Sequence, residues 1–278
     1  RKSSSVSKTE LFEEIPVYQA VLQLSIPSVI SSLVMVIYNL SDTYFVGLLN
    51  NPIETAAVTL VSPVTLGFNA VNNLFGCSSM ISRALGRKQE DFARRISSFG
   101  FYGALCSGLM FSLLCLLFQQ PLLGLLGAND TTWAATEAYL YWTVLWGAAP
   151  SILNVVLAYM VRSEGASLHA SIGTMSGCIL NIILDPIFIL PQGLNMGASG
   201  AGLATFLSNC AACIYFFILL YKKRANSCIR ISPRNFSLEK NLVLGVCQVG
   251  IPSAIQNLLN VTSMTLLNNL TAVYGPDA

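Results

Sequence analysis

Gln23-Leu24-Ser25-Ile26-Pro27-Ser28 returns 225 residues later as Gln248-Val249-Gly250-Ile251-Pro252-Ser253. Comparing 23–36 with 248–261, seven of fourteen positions are identical: Gln, Ile, Pro, Ser, Ile, Leu and Val. Matches between apolar residues arise easily by chance, so the Gln…Ile-Pro-Ser core carries the comparison. Each copy lies in a long apolar run, and about 20 such residues cross a bilayer as a helix. Working outward, spans fall at about 18–48, 56–82, 96–118, 135–161, 168–190, 198–221 and 242–272. The second copy begins after six spans, an even number, so both copies enter the membrane from the same side. That predicts parallel halves related by an axis along the membrane normal, a common transporter plan. The fold class is all-α: a polytopic membrane protein with a six-helix transmembrane lobe and the first helix of a second lobe. The boundaries are a 1–17 amino-terminal segment, the lobe at 18–221, a basic linker at 222–241 and the second-lobe helix at 242–278. The chain reads as a fragment of a roughly twelve-helix protein.

Composition agrees. Of 278 residues, 54% are hydrophobic and 10% charged, against about 25% charged in a soluble domain. The mean hydropathy is +0.62. Disordered chains, disulfide scaffolds and cytosolic enzymes are excluded, and a net charge of +2 does not call for nucleic acid. Seven of the eight cysteines lie inside apolar runs, where the thiol behaves as a small hydrophobe. Cys210 and Cys213 form a C-x-x-C with no second pair, and the single histidine, His169, cannot build a zinc site. Residues 1–7 are polar and the first apolar run is too long for a cleavable signal.

All fifteen Lys and Arg residues fall before span one, between spans two and three, after span four, or between spans six and seven. The alternate loops, at 50–54, 119–134 and 191–197, hold none. The positive-inside rule then places the amino terminus in the cytoplasm, which excludes a seven-helix receptor. Trp133, Tyr139, Tyr141 and Trp142 read as an interfacial belt at the outer end of span four. Pro27, Pro63, Pro150 and Pro252 are the expected kink points.

Two acidic residues lie well inside spans, Asp42 and Asp185. Charge at membrane depth costs roughly 2.5–3.5 kcal/mol on insertion scales, which marks such residues as functional candidates. Spans one and five run in the same direction, so both acids belong to the outer half. Asn39 accompanies Asp42 at i−3, and Asn181 precedes Asp185 by four, on its face. Span six runs back inward, so Thr205 and Asn209 reach the same layer. Carboxylate, amide and hydroxyl oxygens together make a hard-oxygen site for H⁺ or Na⁺. The other reading makes each Asp a helix-end residue near the headgroups. The repeat supplies a control: Asp42 corresponds to Leu267 and Asn39 to Met264, so the repeated architecture does not need the acid. Asn69, Asn72 and Asn73, with Gln256, Asn257 and Asn260, either line a central cavity or tie helices together.

Four segments, in this order and spacing, resemble the multidrug and toxic compound extrusion (MATE) transporters: Ser41-Asp42-Thr43-Tyr44-Phe45-Val46-Gly47, Ser82-Arg83-Ala84-Leu85-Gly86, Leu184-Asp185-Pro186 and Gly197-Ala198-Ser199-Gly200-Ala201-Gly202-Leu203-Ala204-Thr205. The resemblance is nearest to the prokaryotic DNA-damage-inducible-type branch. It implies a cation site at Asp42, Asn181, Asp185 and Thr205, which would hold Na⁺ if Na⁺ is the coupling ion. It also implies export of cationic or amphipathic drugs from a prokaryotic plasma (inner) membrane, against H⁺ or Na⁺. No cofactor, resident metal or nucleic acid enters, and the partners are the drug, the bilayer and the missing carboxy-terminal lobe. The alternative within the broader fold is a lipid-linked oligosaccharide flippase. That reading expects cationic side chains for a pyrophosphate, and no Lys or Arg lies within a span. An enzyme would need a catalytic cluster, and none is visible.

Overall fold

In the computed structural model the described residues are 16–224 and 227–272, with positions 20, 260, 261 and 264–272 described by backbone alone. Most of the 1–17 segment and the end of the 242–278 segment lie outside them. The described chain is a succession of helices without a strand. They are α1 Val17–Gly47, α2 Pro52–Phe75, α3 Ser78–Gly86, α4 Glu90–Leu117, α5 Gln119–Leu125, α6 Trp133–Leu140, α7 Ala148–Ser163, α8 Ser167–Ile189, α9 Ala198–Lys222 and α10 Lys240–Ala272.

Among the described residues, five helices are long and apolar enough to cross a membrane: α1, α4, α8, α9 and the Lys240–Leu259 part of α10. The bent pair α6–α7 makes six. The span expected at 56–82 is corrected: α2 ends at Phe75 and α3 restarts at Ser78. Glu54, Asn69, Asn72 and Asn73 lower the apolarity of α2. The break follows from packing. A Cβ on Gly76 would stand 2.6 Å from the Tyr159 ring and 2.7 Å from the Asn72 carbonyl oxygen, and Cys77 then takes the left-handed conformation, φ 50°.

The fourth span bends by 49° in the turn that precedes Pro150, one of the expected kink points. The bend follows a π-helical turn, Tyr141–Trp146, and Gly147. Pro150 has no N–H to offer the Trp146 carbonyl and its ring crowds that carbonyl, so the break falls one turn before the proline. Pro27, Pro63 and Pro252 lie inside uninterrupted helices. Pro27 leaves the Gln23 carbonyl without its i+4 N–H, and the Ser28 hydroxyl donates to the neighbouring Leu24 carbonyl at 3.1 Å.

Helix α7 is central: Ile152, Val156, Leu157 and Met160 are fully buried, and it packs on α4, α8 and α9. Helix α1 lies at the edge, chiefly against α8, while α10 packs on α2 and α3. The linker is a docked strap. Buried Glu164, between α7 and α8, accepts from the Ser227 hydroxyl at 2.8 Å and from the Ile229 N–H at 3.1 Å. Ser97 and Ser98 of α4 hold the Arg230 backbone, and Tyr102 donates to the Ile231 carbonyl at 3.0 Å.

Candidate ion-coupling site

Gly173, Gly177, Asn181 and Asp185 recur every fourth residue on α8, one slowly winding stripe. The glycines bring α9 close. A Cβ at 173 would stand 2.4 Å from the Phe216 ring, and one at 177 would stand 3.2 Å from the Ala212 Cβ. Small residues therefore set the spacing, and the two polar residues that continue the stripe are pressed against α9. Asn181 is 1% and Asp185 0% exposed.

The Asn181 amide is assigned the orientation in which both its oxygen and its nitrogen find partners. Its nitrogen donates to Asp185 Oδ2 at 3.0 Å, and its oxygen accepts from the Thr205 and Ser208 hydroxyls, each at 3.3 Å. Helix α1 brings the second acid. It is pinned to α8 by the contact between the Ser31 and Ser171 hydroxyls at 3.4 Å, and Asp42 lies within electrostatic reach of Asp185. Asp42 Oδ1 is buried and has no hydrogen-bond partner among the described residues. That is an unusual state for a carboxylate oxygen, since buried polar atoms are nearly always paired. Asp42 and Asp185 stand near the last turns of α1 and α8, while Thr205 stands near the start of α9, so the site occupies the end opposite the strap.

Two tyrosines complete the layer, and the sequence reading did not include them. The Tyr38 hydroxyl, one turn before Asp42, lies beside Thr205 and faces both carboxylates. Tyr139, read from sequence as part of an interfacial belt, is instead buried and faces Asp42, Asp185 and Tyr38. The π-helical turn begins two residues after it, and such turns are frequent at functional sites.

The remaining expected residues are dispersed. Asn39 is on the exposed side of α1. Asn209 pairs with Asn154 of α7 at 3.1 Å rather than with the acids. Asn69 and Gln256 are exposed, Asn72 is buried with its Oδ1 unpaired among the described residues, and Asn257 donates to the Ser253 carbonyl. Asn73 lines a crevice between α2 and α10, and the Asn260 side chain lies outside the described residues. A cavity of about 1370 Å³ runs elsewhere, along α1 from Leu24 to Val36 and on to Lys88, Arg162 and Glu164.

A family model, MatE, matches residues 27–187, which reach from Pro27 through both acids. This chain belongs to the MATE family. The family comprises membrane transporters rather than enzymes. Over 267 residues the chain is 34% identical to a multidrug export protein, MepA, of Staphylococcus aureus (strain bovine RF122 / ET3-1), covering 95% of this chain and 58% of that protein. A MATE crystal structure in complex with MaD3S superposes with a TM-score of 0.88 at 30% identity, over 97% of this chain and 60% of the other. An outward-facing multidrug resistance MATE transporter gives 0.85 at 29% identity, over 99% and 60%. The chain thus spans somewhat under two thirds of the length of the MATE proteins it matches.

Proposed function

We propose that the chain forms the ion-coupled half of a secondary multidrug exporter that moves cationic amphipathic compounds out against an inward flow of H⁺ or Na⁺. Two observations support this reading: Asn181 joins Asp185 to Thr205, and half-buried Asp42, within electrostatic reach of Asp185, keeps one carboxylate oxygen without a partner among the described residues. Every group offered there is a hard oxygen, suited to a proton or an alkali cation and to no soft metal. In this reading 18–221 is one lobe and α10 opens a second. The amino terminus and the strap face the cytoplasm of a prokaryote, and the cavity beside α1 takes the drug.

Coupling follows from electrostatics. Two charged carboxylates in a low-dielectric layer repel each other, so the empty site favours an arrangement that separates them or admits water. A bound proton or Na⁺ removes that cost, and it shifts the equilibrium only by its differential affinity for the two arrangements. Helix α1 transmits the shift. Pro27 lies roughly 22 Å from Asp42 along the helix axis, and the cavity wall from Leu24 to Val36 flanks it. A bend there changes the cavity. The cavity carries Lys88 and Arg162 but also Glu90 and Glu164, so its lining does not select a pyrophosphate and the drug reading is preferred to the flippase.

Accumulation of a cationic dye in cells tests this. Efflux-deficient bacteria expressing the protein at its natural length should hold less ethidium than controls, and collapsing the proton and sodium gradients should abolish the difference. Low accumulation that survives loss of both gradients would remove ion-coupled export.

A further inference from the structure

Where α4 meets the strap, a second, smaller pocket of about 400 Å³ gathers four arginines: Arg94, Arg95, Arg230 and Arg234. Two come from the first turns of α4 and two from the strap held to it by Ser97 and Ser98. The acids that line it are Asp91 and Glu239. Asp91 pairs with Arg94 at 3.1 Å, but its side chain is 86% exposed, and a pair so open to solvent holds its arginine weakly. Glu90 pairs with Arg94 from outside the pocket, and Glu239 pairs with Arg95. Among the described residues Arg230 and Arg234 make no ion pair, and Arg94 Nε is buried without a hydrogen-bond partner. Four guanidinium groups against two lining carboxylates, with donors to spare, favour an anion. The strap backbone is fixed by the serines and Tyr102, so the arginines are presented on a set frame rather than on a loose tail.

The pocket stands at the end of α4, a helix long and apolar enough to span a membrane. Beside it, Phe236 and Leu238 are 41% and 70% exposed. Exposed apolar side chains next to a basic pocket fit a ligand with an anionic head and an apolar tail. We propose that Arg94, Arg95, Arg230 and Arg234 bind the phosphate of an anionic lipid headgroup in the leaflet at the strap end, with the acyl chains against Phe236 and Leu238. Guanidinium groups meet phosphate oxygens two at a time, which a lone lysine cannot do. The bound lipid would tie the strap to α4, and membrane composition would then act on the joint between the lobe and α10.

Native mass spectrometry of the purified protein, offered phosphatidylglycerol and phosphatidylcholine in equal amounts, tests this. Phosphatidylglycerol should be retained in preference. The Arg230→Gln/Arg234→Gln double variant should bind it at least about tenfold more weakly, with its strap still docked because the backbone contacts do not involve those side chains. Arg83→Gln/Arg87→Gln removes the same charge from exposed positions on α3 and beside it, and should leave retention unchanged. Equal loss in both double variants would show diffuse attraction and overturn the site. So would retention without preference for the anionic lipid. Displacement of the lipid by millimolar inorganic phosphate would reassign the pocket to the free anion and overturn the lipid proposal.

Discussion

Asn181 stands one helical turn before Asp185, and its side-chain nitrogen donates to Asp185 Oδ2 at 3.0 Å. The same amide accepts from Thr205 on the neighbouring helix, so one side chain ties an acid on α8 to a hydroxyl on α9. Replacing it with Leu keeps approximate volume and strands both partners. A buried group left unpaired costs about 1–3 kcal/mol. Asn181→Leu is expected to weaken apparent coupling-ion affinity by about tenfold or more, read from the ion dependence of efflux. Unchanged ion dependence would show that the amide does not belong to the site.

Gly173 sets the approach of α9 to α8. A Cβ there would meet the Phe216 ring at 2.4 Å, so Gly173→Ala should lower the thermal unfolding midpoint in detergent, with an overpacking cost of about 1–3 kcal/mol. Adding Phe216→Leu to the Gly173→Ala variant should recover part of the loss, because it removes the atoms that clash. Independent, additive losses would mean the two residues do not meet.

Much of this candidate site is legible in the sequence. Asp42 and Asp185 stand out because carboxylates in apolar runs are rare, and the four-residue step from Asn181 to Asp185 places both on one face. The tyrosines were not legible. An aromatic residue in a membrane helix satisfies packing, interface and site readings equally well, and only the π-helical turn and the fold of α6 onto α2 and α9 show that Tyr139 points inward. Asn39 misled for the opposite reason: helical spacing admitted it to the Asp42 side, but the contact of α1 with α8 leaves it exposed. The break at Gly76 was hidden because no single residue announces it. It depends on Tyr159, more than eighty positions away.

Glu54 accepts from the Ala198 N–H at 2.6 Å, placing a carboxylate at the start of α9. Unpaired N–H groups and the positive end of the helix both favour it there. Glu54→Gln should cost about 0.5–2 kcal/mol, seen as a lower unfolding midpoint, while the ion dependence of efflux stays as in the parent. A shift in ion dependence would place Glu54 in the coupling machinery.

Glu164 is the clamp on the strap, accepting from Ser227 and the Ile229 N–H. Glu164→Ala leaves those donors without their acceptor. Limited trypsin digestion should then cleave after Arg230 several-fold faster than in the parent, while cleavage after Arg87, on the exposed turn that follows α3, keeps its rate. Equal rates at Arg230 in both proteins would mean that the strap is held by α4 alone.

The convergence of Asp42 and Asp185 on one ion site is tested most directly by drug uptake into proteoliposomes under an imposed H⁺ or Na⁺ gradient. The parent protein, at its natural length, should concentrate a cationic dye when one of the two gradients is imposed. Asp42→Asn and Asp185→Asn, each keeping shape and hydrogen bonding while removing the charge, should incorporate equally well and show no gradient-driven uptake. Gradient-driven uptake at the parent rate by the Asp42→Asn/Asp185→Asn double variant would contradict an ion-coupling role for the pair.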